Sequence, residues 1–213
     1  EKRFSVKGKI LLCPAGINLD KIKKIASQKN VKDDKIRIGF LGSLAWWQGV
    51  DILAEAVAIV KEKLPDIELF VVGDGPMREK VVKICEDHEI KYTITGFVPH
   101  DVALTYLKSF DVLVLPRLKT SATESNIPIK VVEAWALGVP VIVTPHEVFK
   151  SMCKDGEDIL FAEPNRKDVA EKILLLASNR ELKEKLAKKG PSLAENFDYD
   201  RTASKIVKKL KIV

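Results

Sequence analysis

Two rhythms of hydrophobic and polar positions run through this chain. From Lys35 onward, short runs of β-branched and other apolar residues alternate with longer stretches whose apolar positions recur at helical spacing. The runs at 36–41, 67–72, 92–95, 111–115, 139–144 and 159–162 are each closed by Gly, Pro or Thr, which predicts strands. Between them, residues 49–63 set Val50, Leu53, Val57 and Val60 on one stripe. Residues 76–88 gather Met77, Val81, Ile84 and Cys85, and residues 129–138 carry Val132, Ala136 and Leu137. Strands regularly separated by amphipathic helices predict an α/β fold: an open, parallel, Rossmann-like sheet with helices on both faces. Past Pro164 the pattern becomes wholly helical, at 166–177, 180–189 and 199–211. Residues 9–12 read as a further strand, followed by a Pro14-Ala15-Gly16 turn and a polar helix or linker rich in Lys and Asp. The expected organisation is a tether over 1–34, a compact unit over 35–195 and a C-terminal helix over 196–213.

Composition narrows the class. The 213 residues are 46% apolar and 31% charged, enough to bury a core and unlike a disordered or disulfide-stapled chain. No apolar run approaches the roughly 20 residues that cross a bilayer, and no signal-peptide pattern stands at the start. The first residue is Glu, so the expectation is that a preceding segment belongs with this one. Cys13, Cys85 and Cys153 are odd in number and lack metal-ligand spacing, which fits a reducing, cytoplasmic compartment. The net charge of +6 raises nucleic acid or an anionic membrane as partners. The lysines are nevertheless spread along amphipathic stretches such as 179–189 and 205–211, as solvated helix faces are, and no nucleic-acid motif is present, so no nucleic-acid partner is expected. Abundant Lys and Glu with only two Gln fits a thermophilic source.

Open parallel sheets bind ligands outside the carboxyl ends of their strands, beside helix N-termini whose unpaired N–H groups attract anions. The stretches that follow the expected strands are Gly42 to Gly49, Gly73-Asp74-Gly75-Pro76, Gly96-Phe97-Val98-Pro99 and Pro116 to Pro128. Neither a dinucleotide-binding G-x-G-x-x-G nor a P-loop occurs. The most informative stretch runs from Ser125 to Pro140. Asn126 or Ser125 can cap a short helix that starts near Pro128 and ends before Gly138. The N–H groups of Ile129 and Lys130 would then form an anion site, and Glu133, one turn on, could accept two hydrogen bonds from a ribose diol or simply complement the helix dipole.

Several segments together resemble a known family: Gly39-Phe40-Leu41-Gly42, Gln48-Gly49-Val50-Asp51, Val72 to Pro76, Gly96 to His100, Phe110 to Pro116, and Pro128-Ile129-Lys130 through Glu133-Ala134 to Gly138-Val139-Pro140. In order and spacing they look like the carboxyl-terminal half of the family 4 glycosyltransferases, which have the two-domain GT-B fold. The likeness runs from about Lys9 into the tail. It implies a domain that binds the nucleotide-sugar donor of a retaining transferase which needs no metal or other cofactor. Acceptor contacts, and any membrane contact at the inner face, would lie with a missing amino-terminal half. By the same resemblance Glu133, the residue assigned to the catalytic centre, would bind the ribose hydroxyls. The backbone of Ile129 and Lys130 would hold the phosphates, the Phe97–Val98 backbone the base edge, and the loop from Gly42 to Gln48 would cover the diphosphate.

The chain also departs from the family. Ser43 and Gln48 stand where members usually carry Arg and Lys, so Arg117, Lys119 and Lys130 are the cations left to neutralise a diphosphate, with Arg117 or Lys130 expected to take that part. The paired glutamates of the family are spaced Glu-x7-Glu; eight residues before Glu133 stands Ser125, and Glu124 is nine before. Pro145-His146-Glu147 replaces a Gly-Gly. These losses keep open a second reading, a degenerate nucleotide-sugar-like domain acting as a non-catalytic interaction module. His100 is read as a helix cap, His146 as a candidate ligand contact, and one of Trp46 and Trp47 as a packing residue with the other facing a ligand or the missing half.

Overall fold

The computed structural model describes residues 15–27 and 35–210. The strand expected at 9–12, Cys13 and Pro14 lie outside the described residues. Six strands form one parallel sheet: β1 (Ile36–Leu41), β2 (Ile67–Val72), β3 (Tyr92–Ile94), β4 (Val112–Leu115), β5 (Val141–Val143) and β6 (Leu160–Phe161), in the order β3-β2-β1-β4-β5-β6. The helices are α1 (Leu19–Ala26), α2 (Val50–Lys61), α3 (Arg78–Asp87), α4 (His100–Ser109), α5 (Ser121–Glu124), α6 (Ile129–Ala136), α7 (Glu147–Lys150), α8 (Arg166–Ser178), α9 (Arg180–Ala194) and α10 (Tyr199–Leu210). All six expected strands are present. The last two are shorter than expected, because the parallel ladder between them pairs only Ile142 with Leu160 and Val143 with Phe161.

The winding explains where a ligand can sit. Strands β1 to β3 progress outward in one direction, α4 then carries the chain back across the sheet, and β4 to β6 progress in the other. Right-handed crossovers therefore put α2 and α3 on one face and α4 and α6 on the other. α2 packs with α3 and α8, while α1, α4, α6 and α9 form the second layer. The strand order reverses between β1 and β4, which opens a crevice at their carboxyl ends.

The core is continuous through both layers. Ile38, Phe40, Leu69, Leu113 and Ile142 from the sheet are at most 1% exposed, as are Leu53, Leu104, Val132 and Ile173 from the helices. Gly39 lies under the Phe110 ring; a Cβ there would fall 1.9 Å from that ring. Only glycine lets β1 accept this aromatic, which also meets Phe70 at a centroid distance of 6.1 Å.

Two segments differ from the sequence reading. Residues 15–27, in the stretch assigned to a tether, pack on the domain: Leu19, Ile22 and Ile25 are buried at helical spacing against α4 and α6, and Ile17 pairs with Asp198. Asp20 and the lysines of this helix face outward, so composition made an amphipathic helix look polar. Helix α9 runs through Gly190 and Pro191 to Ala194, where a stop was expected at Lys189. Gly190 is there for contact with α6, since a Cβ would lie 2.8 Å from the Trp135 carbonyl oxygen.

Cys85 and Cys153 are free and buried, and burial pushes both thiols up to about 12. No helix of the described residues is long and apolar enough to cross a membrane.

Candidate functional site at the switch between β1 and β4

The crevice at the strand-order reversal is walled by three carboxyl-end segments. After β1, Gly42 takes φ +135° and its N–H donates to the Val72 carbonyl. The following loop leans on the segment after β2: Leu44 N–H donates to the Asp74 carbonyl and Met77 N–H to the Leu44 carbonyl. A Cβ on Gly73 would lie 2.0 Å from the Gly42 carbonyl oxygen. The Gly73-Asp74-Gly75-Pro76 motif thus serves close backbone approach between two loops. Residues Trp46 to Gln48 form a turn of 3-10 helix that buries Gln48 and exposes Ser43 and Trp46.

Opposite stands α6. Its N-cap is Pro128, which supplies no side-chain cap; the caps expected from Asn126 or Ser125 do not form, because both residues fall in the exposed loop after α5. The N–H groups of Ile129 and Lys130 therefore open the helix without a side-chain acceptor, with the positive end of the helix dipole behind them. Lys130 lies back across the end of β1. Its Nζ is 5.5 Å from the Phe40 ring centre, and it occupies the position a side chain on Gly42 would need. Burial, helped by the nearby Arg117 charge, pulls this amine down to about 8, while Glu133 opposes the shift.

Arg117, two residues past β4, is 7% exposed. Its guanidinium lies 5.3 Å from the Trp47 ring, and Leu118 N–H donates to the Trp47 carbonyl. Nε and Nη1 of Arg117 are buried without a hydrogen-bond partner among the described residues, as is Oε1 of Gln48. Burial lowers the Arg117 guanidinium below its usual value. Buried donors of this kind ordinarily have partners, and a buried cation needs a counter-anion. The mouth therefore combines two poorly compensated cations with a helix N-terminus, which is an arrangement for an anion.

Glu133 is 3% exposed, and its Oε1 accepts from His100 Nε2 at 2.7 Å. The carboxylate lines a cavity of about 350 Å³ with Gly16, Ile17, Asn18, His100, Ile129 and Tyr199. His100 is not a cap: Pro99 holds that place at α4, and the imidazole turns to Glu133. Phe97, beside it, is 82% exposed, and Val98 is half-buried.

The third wall is tied down by Glu124, whose Oε2 accepts the Glu147 N–H at 2.8 Å and whose Oε1 accepts from His146 Nδ1 at 3.3 Å. The Glu147 amide holds the Glu124 carboxyl below its usual range. His146 is fully buried, burial keeps its imidazole toward the neutral form, and Nε2 has no partner among the described residues. Lys119 faces away to Glu163.

Gly42 and Gln48 lie against the Lys130 side chain, which also feels the charges of Arg117 and Glu133, while Ile129 and Glu133 line the neighbouring cavity with His100; Ser43 is exposed. His100 and Tyr199 escaped the sequence reading as site residues, because their partners lie 33 or more positions away. Among the described residues no cluster of three or more His, Cys, Asp or Glu could hold a metal ion.

Comparison with known proteins identifies the family and the fold. The family model described as glycosyl transferases group 1 matches residues 21–193. An uncharacterized glycosyltransferase of Methanocaldococcus jannaschii is 24% identical over 91% of the chain and 50% of its own length. A chitobiosyldiphosphodolichol beta-mannosyltransferase of Candida glabrata is 27% identical over 95% of the chain and 43% of its own length. The chain thus spans about half the length of the curated relatives it matches. Among solved structures, HepE of Anabaena, crystallised with UDP and glucose, superposes with a TM-score of 0.74 at 17% identity, over 93% of this chain and 56% of that one.

Proposed function

We propose that this chain, which belongs to the group 1 glycosyl transferases, binds the nucleoside diphosphate of an activated sugar as the donor half of a retaining, metal-independent transferase of the family 4 kind. The observation that carries this reading is the buried Arg117 and the half-buried Lys130 beside the uncapped start of α6, with Glu133 one turn further on. Sugar transfer leaves negative charge on the departing diphosphate, and fixed donors aimed at that charge are the main means a protein has of lowering the barrier. The N–H groups of Ile129 and Lys130, the Lys130 ammonium and the Arg117 guanidinium supply such donors. They replace the cations that the family usually carries at the positions of Ser43 and Gln48. Glu133 takes the pentose hydroxyls, the Phe97–Val98 backbone the base edge, and the loop from Gly42 to Gln48 covers the diphosphate. The acceptor, and any membrane surface, is met by the remaining half of a longer protein, which works in the cytoplasm.

Calorimetric titration of the chain with UDP, GDP and ADP tests the reading. One of the three should bind, and Lys130→Ala or Arg117→Ala should weaken it about tenfold or more, as removal of a charge-assisted bond does. Affinities unchanged in both variants would refute the role given to these cations. The loss of the usual Arg and Lys favours one alternative, a non-catalytic interaction module, and silence toward all three diphosphates would favour it over the donor reading.

A further inference from the structure

The Glu133 side chain is 4% exposed, yet its carboxylate has a single hydrogen-bond partner among the described residues, Nε2 of His100 at 2.7 Å. An ionised carboxylate offers about four lone-pair sites, and burying it with most of them unmatched is costly. Oε1 is committed to His100, Oε2 has no hydrogen bond among the described residues, and Glu133 lines the 350 Å³ cavity. The other side of the imidazole faces the exposed Asp101. Nδ1 lies 3.9 Å from Asp101 Oδ1, and Asp101 is ion-paired with Lys21. His100 is therefore set at the cavity rim with one nitrogen aimed at a buried acid and its ring 60% open to solvent.

We infer that His100 is the positioning residue for the pentose: by holding Oε1 it fixes the Glu133 carboxylate so that Oε2 faces the cavity and accepts the hydroxyls of a ribonucleoside diphosphate. This rests on the donor reading above and adds to it a determinant of ribose against deoxyribose. Without His100 the carboxylate rotates or draws in water, and the diol loses its fixed acceptor. The diphosphate contacts, carried by Lys130, Arg117 and the start of α6, are unaffected. The His100–Glu133 bond also links α4 to α6, and a merely structural link would affect every ligand alike.

The test is calorimetry on the intact chain with UDP, GDP and ADP, then with the 2′-deoxy and 3′-deoxy forms of the one that binds best. The parent should prefer the ribonucleotide by about tenfold, the worth of a hydrogen bond to a charged group. His100→Ala should cut that preference to about twofold or less, mostly through lost ribonucleotide affinity, and His100→Gln, whose amide can donate from the same place, should restore it. His100→Leu repeats the comparison should the alanine variant melt early. If the parent discriminates and His100→Ala keeps the same ratio, or weakens all forms by one factor, the positioning role is overturned while the donor reading stands. A parent that binds ribose and deoxyribose forms equally removes the pentose from Glu133 and this inference with it. A parent that binds none of the three overturns the donor reading itself.

Discussion

The Lys130 ammonium occupies the place where a side chain on Gly42 would begin: a Cβ built on that glycine lies 1.9 Å from Nζ. The absence of one side chain after β1 is what lets the α6 lysine reach the strand end. Gly42→Ala forces two adjustments. The backbone must hold φ +135°, which an alanine adopts at a cost of about 1–3 kcal/mol. The lysine, being the flexible partner, must also swing out. The expected result is a lowered Tm and, in the protein that remains folded, weaker diphosphate binding, measured by thermal melting and calorimetry. A variant that melted lower but bound as the parent does would show that Lys130 has no part in the anion site.

The same lysine predicts a pH dependence whose sign can be worked out. Its ammonium is held down to about 8, against 10.5 for the ordinary side chain. Between those values the unfolded chain binds a proton that the folded one does not, so stability rises with pH over that window and is lowest, as far as Lys130 is concerned, below about 8. Lys130→Met should therefore be more stable than the parent at pH 7, by about 1 kcal/mol for a half-buried group, and should lose that advantage by pH 10. Binding runs the other way. A diphosphate favours the charged amine, so affinity should fall as pH rises past about 8, with proton uptake on binding near that pH. Titration in buffers of different ionisation enthalpy measures that uptake.

The parts of this molecule legible in its sequence are those set by local pattern. Strands β1 and β2 were readable because Ile36–Leu41 and Ile67–Val72 are largely apolar runs closed by glycine, and α6 because Pro128 and Gly138 bracket it. What escaped depends on contacts between distant segments. Helix α1 reads as a polar helix or linker, outside the domain, until Leu19, Ile22 and Ile25 are seen against α4 and α6. Gly190-Pro191 reads as a helix end because its reason for being helical is the Trp135 backbone, some 55 residues away. At the site, Lys130, Arg117 and Glu133 could be named from motif position, while the turn of His100 toward Glu133 could not, since a proline before a helix and a histidine at its start read locally as a cap.

His146 makes a second pH prediction independent of ligand. It is fully buried, burial disfavours its charged form, and the Glu124 bond only partly offsets this. As pH falls through the ordinary imidazole range near 6.5, the unfolded chain takes up a proton that the folded chain resists, so stability is lost on acidification. Glu124 adds to the loss at lower pH: its carboxyl titrates below its unfolded value of 4.5, so its contribution is present above that value and fades as pH drops through the folded one. His146→Gln should flatten the fall in Tm between about pH 7 and pH 5.5 while leaving the fall below about pH 4.5. An unchanged slope near pH 6.5 would mean that the imidazole reaches solvent.

The last prediction concerns how α6 is held. Gly190 brings α9 so close to α6 that a Cβ would sit 2.8 Å from the Trp135 carbonyl oxygen and 2.9 Å from its Cα. Both neighbours are backbone, so neither can rotate away, and the Trp135 ring is itself packed on Phe197 at 6.2 Å. Gly190→Ala would favour the helix locally by about 1 kcal/mol, but the two helices must separate to admit the methyl group, which costs about 1–3 kcal/mol as overpacking does. The net effect should be a lower Tm. Because α6 presents Ile129, Lys130 and Glu133 from the same rigid segment, its displacement should weaken nucleoside diphosphate binding from roughly 10 Å away, as a helix of eight residues spans about 12 Å. Gly138→Ala separates the two causes. It strains the end of the same helix at φ +69° and touches α9 only at the Ala187 carbonyl oxygen, 3.3 Å away, so it should cost stability with a smaller loss of affinity than Gly190→Ala. Equal losses of affinity in both variants would show that the site responds to stability alone and not to the seating of α6 on α9.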